Sequence, residues 1–226
     1  MNGALAGGVQ VNGGATLKGS GNIGGTVTVA PGGLVSPGNS PGTLTIGGDY
    51  SQGPGGLLEI EVAGPNPENR DLLIVKGNAN LGGTLLLVFS GYAPSAADTF
   101  PVVEVGGNFN TNNLKIVVLG LKPGYQPSYQ VSGGQLILVA TSSGQLRNSD
   151  DPIQVLNPSF APQSGFVYPV YTLTGATYQF DTSTDLKTWT RISEVAGANV
   201  LFEFRNLPLA ADPYRFYRVV QIFGPP

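Results

Sequence analysis

The stretch Gly24-Gly25-Thr26-Val27-Thr28-Val29-Ala30-Pro31-Gly32-Gly33-Leu34 lies, at an offset of 23 residues, over Gly47-Gly48-Asp49-Tyr50-Ser51-Gln52-Gly53-Pro54-Gly55-Gly56-Leu57. Val27 falls on Tyr50, Pro31 on Pro54 and Leu34 on Leu57. A short β-forming run between two glycine turns, repeated at that period, is the signature of one solenoid coil per repeat. Gly-Gly pairs recur at 7, 13, 24, 32, 47, 55, 82, 106 and 133. The spacing predicts stacked coils whose corners are cut by glycine, because corners need positive φ or a close approach of two backbones.

Working outward, the runs between the glycines alternate at period two. Val9/Val11, Val27/Val29, Leu44/Ile46, Leu58/Ile60/Val62 and Leu85/Leu87 each place apolar side chains on one face. Strands this short bury no core alone, but stacked coils share one. Pro31, Pro37, Pro41 and Pro54 are expected in turns, where a missing N–H costs the ladder nothing. From about residue 84 the runs lengthen, as in Leu85–Phe89, Phe100–Val105, Leu114–Leu119 and Gln135–Val139. Adjacent apolar positions there predict strands covered on both faces, at the capping end of the solenoid.

Composition divides the chain near residue 145. Residues 1–145 hold 30 of the 34 glycines and 12 charged residues, whereas 146–226 hold 4 glycines, 13 charged residues and most of the aromatics. Ser142-Ser143-Gly144-Gln145 through Asn148-Ser149-Asp150-Asp151-Pro152 is polar and turn-rich. The expected organisation is a β-solenoid over 1–145, a linker over 146–155 and a small antiparallel β-sandwich over 156–226. The fold class is therefore all-β.

Cys and His are both absent. That removes disulfides, thiolate nucleophiles and thiolate metal sites, together with the commonest general base and imidazole ligand. A net charge of −3 without a basic block argues against nucleic acid. No apolar run approaches the ~20 residues that span a bilayer, so no membrane span is expected.

The segment Pro31-Gly32-Gly33-Leu34-Val35-Ser36-Pro37-Gly38-Asn39-Ser40-Pro41-Gly42-Thr43-Leu44-Thr45-Ile46-Gly47-Gly48-Asp49-Tyr50-Ser51-Gln52 resembles the passenger β-helix of bacterial autotransporters. Leu57–Val62 and Asp71–Leu85 continue the pattern, so the resemblance covers roughly 9–140. It implies a right-handed parallel β-helix exported to the cell surface. No outer-membrane barrel follows in this chain, a departure from the family pattern that bears on the secretion route. The tail, Ala176–Trp189 through Arg215–Val219, is similar to small C-terminal β domains of secreted proteins from Verrucomicrobia-like bacteria. Both resemblances imply an extracellular or cell-surface protein.

Candidate chemistry is sparse. Glu59 and Glu61 share one strand face, as a carboxylate pair for glycosidic acid/base work would, but Leu58, Ile60 and Val62 make the opposite face, which favours a solvated strand surface. Asp181-Thr182-Ser183-Thr184-Asp185 resembles the start of a calcium loop, yet Leu186 and Ile192 occupy the places where an EF-hand has Gly and Glu. A strand end leading into a turn is the simpler reading. Asn148, Asp150 and Asp151 form a second cluster of oxygen donors. Tyr178, Phe180, Trp189, Phe202, Phe204, Tyr214, Phe216 and Tyr217 invite a sugar-stacking platform. The period-two pairs Tyr178/Phe180, Phe202/Phe204 and Tyr214/Phe216 argue for core instead, with Trp189 as its buried centre.

No catalytic, cofactor-binding or metal-ligating residue is assigned, and no cofactor or enzymatic activity is expected. The expected function is structural: a rigid solenoid spacer or self-assembling fibre subunit with a capping or joining C-terminal domain. Its expected partners are further copies stacked head to tail, or other surface proteins. The alternative is a carbohydrate-binding or adhesin module, with a glycan as the partner.

Overall fold

The computed structural model describes residues 2–148, 150–156, 159–161, 165–206 and 215–223, with the backbone alone for 159–161. The chain divides into two units, Met1–Leu146 and Arg147–Pro226.

In the first unit the chain lays down three strands per coil. The first coil holds β1 (Ala4–Leu5), β2 (Val9–Val11) and β3 (Thr16–Gly19); the second holds β4 (Asn22–Ile23), β5 (Val27–Val29) and β6 (Leu34–Pro37). The third holds β7 (Thr43–Ile46), β8 (Tyr50–Gln52) and β9 (Leu57–Val62). The fourth holds β10 (Leu72–Val75), β11 (Ala79–Leu81) and β12 (Thr84–Phe89); β13 (Thr99–Val105), β14 (Phe109–Asn110) and β15 (Lys115–Leu119) follow as a fifth layer. Like-placed strands pair in parallel, building three sheets led by β1, β2 and β3, and about four full turns carry the chain from β1 to β13. This is a parallel β-solenoid. Val27 pairs with Tyr50 and Leu34 with Leu57, so the 23-residue offset is a true coil register.

The corners explain why the repeat is visible in only one region. The corner between the first and second sheets has three residues in every coil, at 6–8, 24–26, 47–49, 76–78 and 106–108. Its glycines are there for proximity. A Cβ on Gly47 would stand 2.8 Å from the carbonyl oxygen of Gly24, and one on Gly24 would stand 2.8 Å from that of Ala6. Between the second and third sheets, Ala30-Pro31-Gly32-Gly33 and Gly53-Pro54-Gly55-Gly56 are type II turns. Gly32 (φ 77°) and Gly55 (φ 80°) hold the left-handed position, and Gly33 and Gly56 donate back to Ala30 and Gly53. The remaining corner lengthens along the chain, from 20–21 to 38–42, 63–71 and 90–98. The register accordingly grows, from Val9↔Val27 through Tyr50↔Ala79 to Ala79↔Phe109.

Every alternating pair read from the solenoid sequence points inward. Val11, Val27, Val29, Leu44, Ile46, Leu58, Ile60, Val62, Leu85 and Leu87 are buried in one continuous core. β12 is buried on both faces, since Leu86 and Val88 are enclosed as well as Leu85 and Leu87. Pro37 is a correction: it ends β6 rather than lying in a turn. It does no harm there, because β6 pairs with β9 only through Leu34 and Val35.

Gly133-Gly134 is no solenoid corner either. Both residues have positive φ (56° and 75°) and form the two-residue turn of an antiparallel hairpin, β16 (Ser128–Ser132) and β17 (Gln135–Val139). β17 pairs antiparallel with β13, and β16 becomes the last strand of the first sheet at that end. Leu121, Tyr125, Leu136, Leu138 and Ala140 join the core there, and Phe89 meets Phe100 and Tyr125 edge to face.

The second unit has β18 (Ser159–Ala161), β19 (Gly165–Thr172), β20 (Ala176–Ser183), β21 (Thr190–Ala196), β22 (Val200–Asn206) and β23 (Phe216–Phe223). They form two antiparallel sheets, ordered β18-β19-β22 and β21-β20-β23. Val170, Tyr178, Phe180 and Phe204 are buried between them, as a small sandwich requires. Within the stretch read as linker, Tyr171 N donates to Gln154 O and Leu156 N to Pro169 O. Those residues thus extend the edge of β19.

Candidate functional site

Glu59 and Glu61 face outward from β9 while Leu58, Ile60 and Val62 face the core. Each carboxylate accepts a local hydroxyl: Ser36 Oγ donates to Glu59 at 2.9 Å, and Ser40 Oγ donates to Glu61. Beside them stands a third acid the sequence reading passed over. Asp71 is only 2% exposed, where β10 begins after the long corner. Its Oδ1 accepts from Gly42 N (2.8 Å) and its Oδ2 from Glu61 N (2.9 Å). Burial pushes its pKa up to about 7 against those two N–H donors, and the neighbouring Glu61 and Glu59 add to the rise. Asp71 therefore ties the corner 38–42 to β9. A Cβ at Gly38 (φ 87°) would lie 2.4 Å from Asp71 Oδ1, so the Ser-Pro-Gly-Asn-Ser-Pro-Gly run is shaped around this carboxylate. The signal that could have found it is the acid opening Asp71-Leu72-Leu73-Ile74-Val75, directly before an apolar strand.

The oxygen clusters of the second unit are engaged locally. Asp181 is 5% exposed and pairs with Arg218 at 2.9 Å and Arg191 at 3.9 Å. Asp185 points elsewhere and closes the following turn, its Oδ1 accepting from Lys187 N (2.8 Å) and Thr188 N (2.7 Å). Those backbone donors hold its carboxyl low, at about 2. Asn148 Oδ1 accepts from Asp150 N, and Asp151 Oδ2 accepts from Asn148 N, an Asx-type turn. Among the described residues no three His, Cys, Asp or Glu side chains converge as metal ligands would.

The aromatic reading splits. Tyr178, Phe180 and Phe204 are core, and Phe202 packs against them. Tyr217 stacks on Phe166 at 4.2 Å and on Phe180 at 5.5 Å. Two expectations fail. Trp189 is half-buried outside the core, its ring covered by the Arg218 guanidinium at 4.3 Å. It lies in the short stretch between the Asp185 turn and β21, and Asp181 holds Arg218 over it. Phe216 does not face the core: it is 40% exposed, and Tyr217 and Val219 carry the inward phase of β23. Tyr214, its supposed pair, lies outside the described residues.

Further polar chemistry is interior. Gln52 is fully buried: Tyr50 Oη donates to its Oε1 at 2.6 Å, and its Nε2 donates to the carbonyls of Gly56, Gly82 and Thr84. At the three-residue corner, Asn78 N donates to Asp49 Oδ1 (2.7 Å) and Asn108 N to Asn78 Oδ1 (2.9 Å), while Asp49 N reaches Thr26 Oγ1 (3.3 Å). These side chains stitch successive coils. No helix among the described residues is long and apolar enough to cross a membrane. Neither a scan of protein-family models nor a search of curated proteins finds a match to this chain.

Proposed function

We propose that this chain is a structural element of a bacterial cell surface, a rigid β-solenoid whose first coil is continued by the solenoid of a second copy. The observation that carries this reading is that strand edges stand open at both ends of the stack. At one end the hairpin β16–β17 extends the first sheet and aromatic side chains fill the core, while β14 and β15 are the last strands of the other two sheets. At the other, β1, β2 and β3 have a strand partner on one side only among the described residues. Leu5 there is 41% exposed. Unpaired strand edges are templates for further pairing, and a head-to-tail contact that does not close generates a filament. The surface location is supported by the resemblance of residues 9–140 to autotransporter passengers.

Electron microscopy with light-scattering mass, over a concentration series, tests the reading. Rods that lengthen with concentration, and are lost when Gln10, whose backbone N–H faces away from β5, is replaced by Pro, are the expected result. A monomer at every concentration overturns self-stacking.

A further inference from the structure

The corner between the second and third sheets has a gap in it. It is four residues long in the third coil (53–56) and again in the fifth layer (111–114), but only two, Gly82-Gly83, in the fourth. The short corner is drawn back between its neighbours. Gly83 has φ 66°, and a Cβ there would stand 2.5 Å from Gly56 O, so the withdrawal is fixed by backbone contact. The result is a notch of about 620 Å³, walled by the Pro54-Gly55 turn on one side and by Asn112-Asn113 on the other. That volume lies within the usual range for small-ligand sites, roughly 300–1,000 Å³.

The lining is polar and rich in amides. Asn80 and Asn110 are register partners on adjacent strands, both directed outward, so their amides stand one strand spacing apart along the stack. Lys115 adds the only charge of the lining, which includes no carboxylate and no aromatic ring. Asn110 Oδ1 accepts from Asn112 N, which braces the far wall. An amide presents a donor and an acceptor side by side. That pair matches vicinal hydroxyls, each of which both gives and takes a hydrogen bond. Fixed backbone beneath exposed amides also lowers the ordering cost of binding.

We propose that this notch is a binding site for one glycosyl unit of an uncharged oligosaccharide, held edge-on by the Asn80, Asn110 and Asn112 amides. Every residue of the lining belongs to the first unit.

The test uses the whole chain, 15N-labelled, titrated with malto-, cello-, xylo- and mannohexaose in turn. The expected result is saturable movement of the Asn80, Asn110 and Asn112 side-chain NH2 signals with at least one sugar. Asn80→Ala and Asn112→Ala should each weaken that binding about tenfold or more, while Trp189→Ala leaves it unchanged. Both asparagines are exposed, so an unchanged far-UV spectrum will establish that the variants fold. Titrations in which no notch amide responds to any of the four sugars overturn the proposal. So does binding that survives both asparagine variants, or binding that follows Trp189 instead.

Discussion

Gly47 and Gly53 are both solenoid glycines, yet substitution should separate them sharply. The Cβ of Gly47→Ala would press on the backbone of Gly24, whereas Gly53→Ala meets nothing within 4 Å. Gly47→Ala is expected to cost about 1–3 kcal/mol, as overpacking does, and Gly53→Ala under about 0.5 kcal/mol. Urea midpoints followed by far-UV circular dichroism will tell; equal midpoints would remove the close-approach argument. Asp71 makes a second residue-scale case. Its folded pKa of about 7 lies above the unfolded value near 3.8, so between those values the folded state holds the extra proton. Asp71 therefore contributes stability that is fully present below about pH 4 and is lost as pH rises through 7. The melting temperature should fall from pH 4 to pH 7, and Asp71→Asn should flatten that fall. An unchanged slope in the variant would mean another group titrates.

Gln52 shows what an element needs from one polar side chain. It joins β8 to the start of β12 inside the core, and Gln52→Leu leaves Tyr50 Oη and three carbonyls without their partner. A loss of about 2–3 kcal/mol is expected, with faster amide exchange along β8 and β11; a neutral result would mean water replaces the amide. The strands themselves were readable because their inward residues alternate and the turn chemistry between them is explicit, as at Pro31-Gly32 and Pro54-Gly55. Elements that contact solvent left weaker marks. β16, Ser128-Tyr129-Gln130-Val131-Ser132, is an exposed edge strand with little apolar patterning, and its Gly133-Gly134 hairpin looked like one more coil corner. Tyr214, Phe216 and Tyr217 offer two aromatic periodicities for β23, and packing of Tyr217 against Phe166 selects the second. A small aromatic-rich domain favours Trp189 as its buried centre, but Asp181 and Arg218 give its ring a cation to cover it. Asp71 and the Asn80–Asn112 notch depend on residues about 30 positions apart meeting across coils, and no local spacing encodes that.

For the molecule as a whole, two separate cores imply two unfolding events. The solenoid core runs from Val11 to Ala140, and the sandwich core is built on Val170, Tyr178, Phe180 and Phe204. Trp189, the single tryptophan, reports on the second unit. Its fluorescence and the far-UV signal should therefore give different urea midpoints; coincident curves would show one cooperative unit.

The corner that lengthens from 20–21 to 90–98 has a further meaning for how such a chain changes over time and how it can be engineered. At the three-residue corner each coil rests directly on the backbone of the one before, so an added residue there has nowhere to go. At the lengthening corner the excess chain leaves the stack, as the short 3₁₀ turn Pro67–Asn69 does with none of its residues buried. Foreign peptides should be accepted between Pro67 and Glu68, and refused between Gly47 and Gly48, when folded yields of matched insertion variants are compared. The solenoid thus keeps a fixed frame at its three-residue corner and, along the lengthening one, a margin where new sequence can accumulate without being read by the core.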